Sequence, residues 1–117
     1  RRVLFRSGFR NCQGTGVSFA DSRIDESDLG MVKFIDADFK NGTLVNSIAS
    51  DGDYSHSDFS DSILANNKFS GSQFNNAQLN NTDFYQSDVL LADFKGANVD
   101  QARNFMELKE KRISNAG

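Results

Sequence analysis

The sequence predicts a repeat protein made of five-residue units, and two observations carry that reading. From Phe19 to Val99 every fifth residue is apolar, seventeen positions in one phase, and only Ala49 among them is small. Two residues before each of these centres the residue is small at fourteen of the seventeen positions, the exceptions being Val17, Val32 and Asn67. Only 38% of the chain is apolar, so a run in a single phase is not chance. A period of five suits neither a helix, at about 3.6 residues per turn, nor an alternating strand. It signals stacked repeats.

Composition agrees. The chain has 117 residues, enough for one domain. A compact globule would be hard to fill at this apolar fraction, whereas each coil of a solenoid only has to cover its neighbours. Nine of the eleven phenylalanines fall in the five-residue phase, and there is no proline. That suits a backbone whose donors are all needed in ladders between coils. Cys12 is the only cysteine, so no internal disulfide forms, and its phase predicts a buried small residue. There is no apolar run of about 18 residues and no secretory signal, which favours a cytoplasmic protein without a membrane segment. Asn41-Gly42-Thr43 and Asn80-Asn81-Thr82 fit the glycosylation pattern, as expected by coincidence in a chain rich in Asn, Ser and Thr.

The net charge of −3 hides a division. Residues 17–101 hold fourteen acids and five bases, whereas residues 1–16 hold four bases and no acid. Residues 102–117 hold four bases and two acids. An acidic body argues against direct nucleic-acid binding.

Arg1–Ser7 resembles the translation of a common sequencing adapter, AGA CGT GTG CTC TTC CGA TCT, codon for codon. This predicts that residues 1–7 are an artefact and that the chain is a fragment of a longer protein opening at Gly8. Gly8–Gly16 carries the phase weakly, with Phe9 a good centre and Gly14 a poor one, so a frayed first coil with an open edge is expected.

Units such as Ala37-Asp38-Phe39-Lys40-Asn41, Ser57-Asp58-Phe59-Ser60-Asp61 and Ala92-Asp93-Phe94-Lys95-Gly96 resemble the pentapeptide-repeat family. Its pattern is a small residue, Asp or Asn, Leu or Phe, then two variable residues. The resemblance spans about 85 residues and implies an all-β fold, a right-handed quadrilateral β-helix with four units per coil. The repeat body is residues 8–101, about four coils. The centres then form four stacks twenty residues apart, one of them Phe34, Tyr54, Phe74 and Phe94, aromatic throughout. Asp, Asn, Gly and Ser at the corners either bond nearby backbone or accept a positive φ. Ala49 predicts a thin place in its stack, or an inward swap of Ile48. Asn67 needs partners for its amide if buried. Arg103–Ser114 leaves the phase and is rich in helix formers, with Asn104 as N-cap. Residues 102–117 are therefore expected to form a short C-terminal helix or tail, with Phe105 and Leu108 covering the last coil.

Chemistry is sparse. His56 lies beside Ser55 and Asp53, but no nucleophile elbow or oxyanion loop accompanies them. One His and one distant Cys do not make a metal site, and no phosphate loop is present, so neither catalysis nor a cofactor is expected. Two surfaces stand out. Asp21, Asp38, Asp58, Asp61 and Asp100 share one side, opposed only by Lys40. The resemblance implies that such a side can imitate nucleic acid, as in family members that inhibit DNA topoisomerases. Val45, Ile63, Ala65 and Tyr85 are expected to stand outward on the second side, and Met31, Ile48, Leu90 and Leu91 on the third. Of these, Val45, Ile63, Tyr85, Leu90 and Leu91 form the candidate partner patch. The first expectation is a non-catalytic interaction module or scaffold for an unnamed protein partner, self-associating through coil ends or the apolar patch. The alternative is a topoisomerase inhibitor that mimics DNA.

Overall fold

The computed structural model describes residues 2–105. The chain winds so that each residue lies beside the one twenty positions on. Val3–Phe5 (β1), Arg23–Asp25 (β2) and Thr43–Val45 (β3) pair in parallel, Leu4 with Ile24 and Ile24 with Leu44. Single parallel bridges continue that ladder through Ile63 and Asp83 to Arg103. Three more ladders run from Gly8 to Asp88, from Gln13 to Asp93 and from Ser18 to Gln78, all with the same twenty-residue step. The coil therefore has four sides, each holding one five-residue unit per turn. Across each rung the N–H groups alternate direction. Phe34 donates forward to the Asp53 carbonyl (2.8 Å), and Asp53 donates back to that of Val32 (2.8 Å).

All seventeen sequence-assigned centres point inward, and none is more than 7% exposed. Aromatic rings stack along the rod, with Phe74 over Tyr54 at 5.3 Å and over Phe94 at 4.9 Å. Ile48 stays outward at 43% exposure, and Ala49 is buried, so no swap occurs. The neighbouring Tyr54 ring lies edge-on to Phe69 of the stack that holds Ala49, and a Cβ on Gly52 would sit 2.6 Å from the Tyr54 ring. Small residues at 49 and 52 thus make room for the one tyrosine in the core. Burial pushes the Tyr54 phenol up from its ordinary value, and its hydroxyl has no partner among the described residues.

Every corner turns through a residue of positive φ. The position two after each centre takes φ between 51° and 78°, from Arg6 to Gly96. Asn, Asp and Gly dominate there because they enter the left-handed region at least cost. The carbonyl of many centres then accepts the N–H three residues on, as Phe74 does from Ala77 (3.0 Å).

At other corners a side chain from the next coil replaces that bond. Ser57 Oγ accepts the Ala37 N–H (3.0 Å) and donates to the Phe34 carbonyl (2.8 Å). Ser72 does the same between Gly52 and Ala49, and Ser87 between Asn67 and Leu64. Asn67 uses its amide in the same way, accepting from Ser47 (3.0 Å) and donating to Leu44 (2.7 Å). The inward position is thus small and often polar, because a short hydroxyl side chain closes the corner above it.

Four expectations are corrected. The first coil is not frayed but keeps its ladders, Gly8 bridging to Asp28 and Gln13 to Lys33, while residues 3–5 pair with β2 and Leu4 packs against the core. Cys12 is exposed, because no coil lies above its inward position. No helix starts at Asn104, which takes φ 58° while Arg103 still pairs with Asp83. A 3-10 turn spans Val99–Gln101, and after the left-handed Asn104 it is Phe105 that turns inward. Phe105 is 2% exposed, edge-on to Phe84 and Phe94. Fourth, Val45 and Ala65, expected outward, are buried at 8% each. Leu108 and the rest of the expected helix lie outside the described residues.

Candidate functional site

The outward residues of each unit stack in columns about 4.8 Å apart. On the second side one column reads Arg23, Thr43, Ile63, Asp83 and Arg103. The other, two residues further along each unit, reads Asp25, Val45, Ala65 and Tyr85. The centre of this side is apolar, with Ile63 at 43% and Tyr85 at 48% exposure above the covered Val45 and Ala65. Opposed charges close it above and below. Arg23 donates to Asp25 (3.0 Å), and Arg103 lies 3.6 Å from Asp83. The Asn46 amide, and then Arg23, hold the Asp25 carboxyl below its ordinary range. These ion pairs were not singled out in the sequence. Their signal is a base and an acid flanking one centre, as in Arg23-Ile24-Asp25.

On the third side Leu90 is 44% exposed, and Leu91, at the following corner, is 66% exposed with φ 60°. Met31, three coils above on the same corner, is 50% exposed with φ 59°. A large side chain in the left-handed region is strained, and exposing it to water adds to the cost. Thus Ile63, Tyr85, Leu90 and Leu91 are outward as expected, and Val45 forms a covered floor among them.

The acidic side is arranged differently. Asp38 and Asp58 are adjacent rungs of one ladder. Each turns an oxygen back onto its own backbone, Asp38 accepting from the Lys40 N–H and Asp58 from that of Ser60, both at 2.9 Å. Lys40 Nζ lies 3.9 Å from Asp38. Asp61 accepts from the Asn81 amide (3.1 Å). Asp21 sits at a corner with φ 60°, and Asp100 lies in the 3-10 turn. The same backbone bond recurs at Asp28, Asp53, Asp83, Asp88 and Asp93, on the other sides of the rod. Aspartate before the centre is therefore a turn-forming residue first.

His56 occupies a corner with φ 60°. Ser55 Oγ donates to Asp53 Oδ1 (2.6 Å), so its proton is directed to the carboxylate and not to the imidazole. Among the described residues no three His, Cys, Asp or Glu side chains group as metal ligands, and no helix is long and apolar enough to cross a membrane.

No curated protein matches the chain. Residues 72–103 match a family model described as pentapeptide repeats (8 copies). Among solved structures the chain is similar to QnrB1, a plasmid-mediated fluoroquinolone resistance protein, with TM-score 0.77 and 18% identity. The match covers 82% of this chain and 48% of QnrB1, so the chain spans about half that protein's length. It is also similar to a pentapeptide repeat protein from the Arabidopsis thaliana thylakoid lumen, with TM-score 0.51, 20% identity, and coverage of 86% and 75%. At these identities the likeness speaks for the fold. With the unbroken phase and the twenty-residue ladders, these likenesses give the chain the fold of a pentapeptide-repeat β-helix solenoid, and residues 72–103 match that family's model.

Proposed function

We propose that the chain is a non-catalytic protein-interaction module, a piece of a longer cytoplasmic pentapeptide-repeat protein. In this reading residues 1–7 are foreign to that protein, and the coil is right-handed and quadrilateral. The observation that carries the functional reading is Leu91. A leucine held at φ 60° and 66% exposed costs stability twice over, through backbone strain and through wetted apolar surface. With Leu90, Tyr85 and Ile63 it forms apolar surface on two adjoining sides of a rigid rod, the kind of area that binds protein. The alternative, mimicry of DNA for a topoisomerase, is weaker. Asp38 and Asp58 each commit an oxygen to a turn, and Lys40 partly offsets that pair.

Site-specific photo-crosslinking tests the reading. A benzophenone side chain at position 63 or 90 is expected to trap a protein in the cells that make the chain, and one at position 76 is not. Equal labelling at all three positions, or none at 63 and 90, overturns it.

A further inference from the structure

We infer that Asn41-Gly42 is a site of spontaneous covalent modification, a deamidation that the closed coil holds back and that keeps the coil from closing again once it has occurred. This is the only Asn-Gly pair in the chain. The fold itself favours both residues. Asn41 is an exposed corner residue at φ 56°, a conformation that asparagine enters more readily than most residues. Gly42 fills the buried inward position, where a Cβ would lie 3.0 Å from the Phe39 carbonyl oxygen and 3.4 Å from those of Phe19 and Ser22. Side by side, the two place a backbone nitrogen without a shielding side chain next to an electrophilic amide.

The reaction needs only water. The Gly42 nitrogen attacks Asn41 Cγ, and the new C–N bond closes a five-membered imide. The side-chain nitrogen leaves as ammonia, carrying the proton that Gly42 gave up. Water then opens the imide at either carbonyl. Opening at Cγ leaves an aspartate in ordinary linkage. Opening at the main-chain carbonyl leaves an isoaspartyl linkage, in which the chain runs through Cβ and Cγ.

The closed coil blocks these steps. Gly42 donates its N–H to the Phe39 carbonyl (3.0 Å), so its proton is engaged. The space beneath it, lined by Phe19, Ile24, Phe39 and Leu44, is too small for a water molecule. Ring closure requires Asn41 to rotate out of the left-handed region. That rotation is resisted by the next coil, because Asn41 donates to the Ser60 carbonyl (3.1 Å) and the Gly42 carbonyl accepts from Ile63 (3.0 Å). The imide therefore forms from the locally opened chain.

The two products differ in consequence. Aspartate at position 41 keeps the five-residue unit and adds a charge between the corners of Asp21 and Asp61, one rung of about 4.8 Å from each. The isoaspartyl linkage adds one atom to the main chain between corner and inward position. Thr43 then falls out of step with Ser22 and Ile63, its partners on either side. A passing opening becomes a permanent loss of the coil, and the site sets a limit on the lifetime of the fold.

Mass spectrometry in mildly alkaline buffer tests this, with the folded chain beside a free peptide of residues 36–47. The tryptic fragment 41–68 reports the exchange of amide for carboxyl, and its retention separates the isoaspartyl from the aspartyl product. Deamidation of the folded chain should be at least about tenfold slower than that of the peptide, and should speed up with urea below the unfolding midpoint. It should fall on Asn41 and spare Asn46 and Asn66 of the same fragment, which precede residues with shielding side chains. The isoaspartyl product should melt well below wild type, whereas Asn41→Asp should stay within about 5 °C of it. A smaller ratio of rates, a rate indifferent to urea, or modification first at Asn46 or Asn66 overturns the inference. So does an isoaspartyl product that melts together with Asn41→Asp.

Discussion

Phe9 and Phe74 occupy the same position of the five-residue unit, yet Phe74 is wholly buried and Phe9 is only half-buried. Phe74 has rings above and below it, Tyr54 and Phe94, and further rings from Phe59, Phe69 and Phe84 around it. Among the described residues Phe9 has one aromatic contact, Phe19 at 5.7 Å, and no ring stacked over it. Cys12 shows the same contrast, being in the inward phase and exposed, whereas Ser72 in the same column is fully buried. Phase decides where a side chain points. Only a coil on each side decides how much water it loses, which is why stability in stacked repeats is a nearest-neighbour property.

The largest test of this contrast is a matched pair of truncations. Phe74→Ala removes a fully buried ring inside a packed stack and should cost about 3–5 kcal/mol. Phe9→Ala removes a ring already facing water on one side and should cost about 1 kcal/mol. At roughly 4–8 °C per kcal/mol for a domain of this size, thermal melts separate the two clearly. Equal losses would mean that the first coil is as well covered as the interior.

A second pair concerns the polar inward column Ser7, Ser27, Ser47, Asn67 and Ser87. Asn67→Ala strips partners from the buried Ser47 N–H and Leu44 carbonyl at once, and should cost about 2–3 kcal/mol. Ser27→Ala frees the N–H of Ser7 at the half-exposed first coil, where water can replace the hydroxyl, and should cost about 0.5–1 kcal/mol. Urea titration at constant m-value gives both numbers. A Ser27→Ala loss as large as that of Asn67→Ala would show that the end coil is as dry as the middle.

These residues also mark what the sequence discloses. The centres are readable because they obey a strict period, and burial follows period wherever coils lie on both sides. Asn67 reads as an anomaly in the sequence because the small-residue rule speaks of size. The hydrogen bonds show that the position also serves as a corner partner, which an amide fulfils as well as a hydroxyl. Asn104 misleads for the opposite reason. Helix propensity and N-cap preference are local, whereas the rung at Asp83 holds Arg103 in the ladder and Asn104 takes the left-handed region. Asn and Asp are favoured at N-caps and in the left-handed region alike, so residue type alone does not separate the two. Val45 is outward by phase yet only 8% exposed, which the linear pattern does not show. The candidate surface was legible as exposed large residues. Its charge rim and the strain at Leu91 needed the fold.

The smallest expected effect lies on the seam between the first two coils. Asp28 accepts from the Gly30 N–H (2.9 Å) through one oxygen and from Arg10 Nε (3.0 Å) through the other. The Gly30 bond, and then Arg10, hold the Asp28 carboxyl below the ordinary value of 3.8. A carboxyl whose value is lowered on folding stabilises the fold above its unfolded value, and that contribution is lost as pH falls through the lower folded value. Melting temperature should therefore fall as pH drops from about 5 to below 3, and Asp28→Asn should fall less steeply. The Asn oxygen can keep the Gly30 bond, so the variant isolates the charge on Arg10. Both partners are partly exposed, with side chains at 49% and 38%, so screening limits the difference to about 1–2 °C. Salt near 1 M should shrink it further, since the Debye length is then about 3 Å. Wild type and variant falling in parallel would mean that Arg10 does not hold the first coil to the second through Asp28. The acid loss would then come from the aspartates of the interior turns.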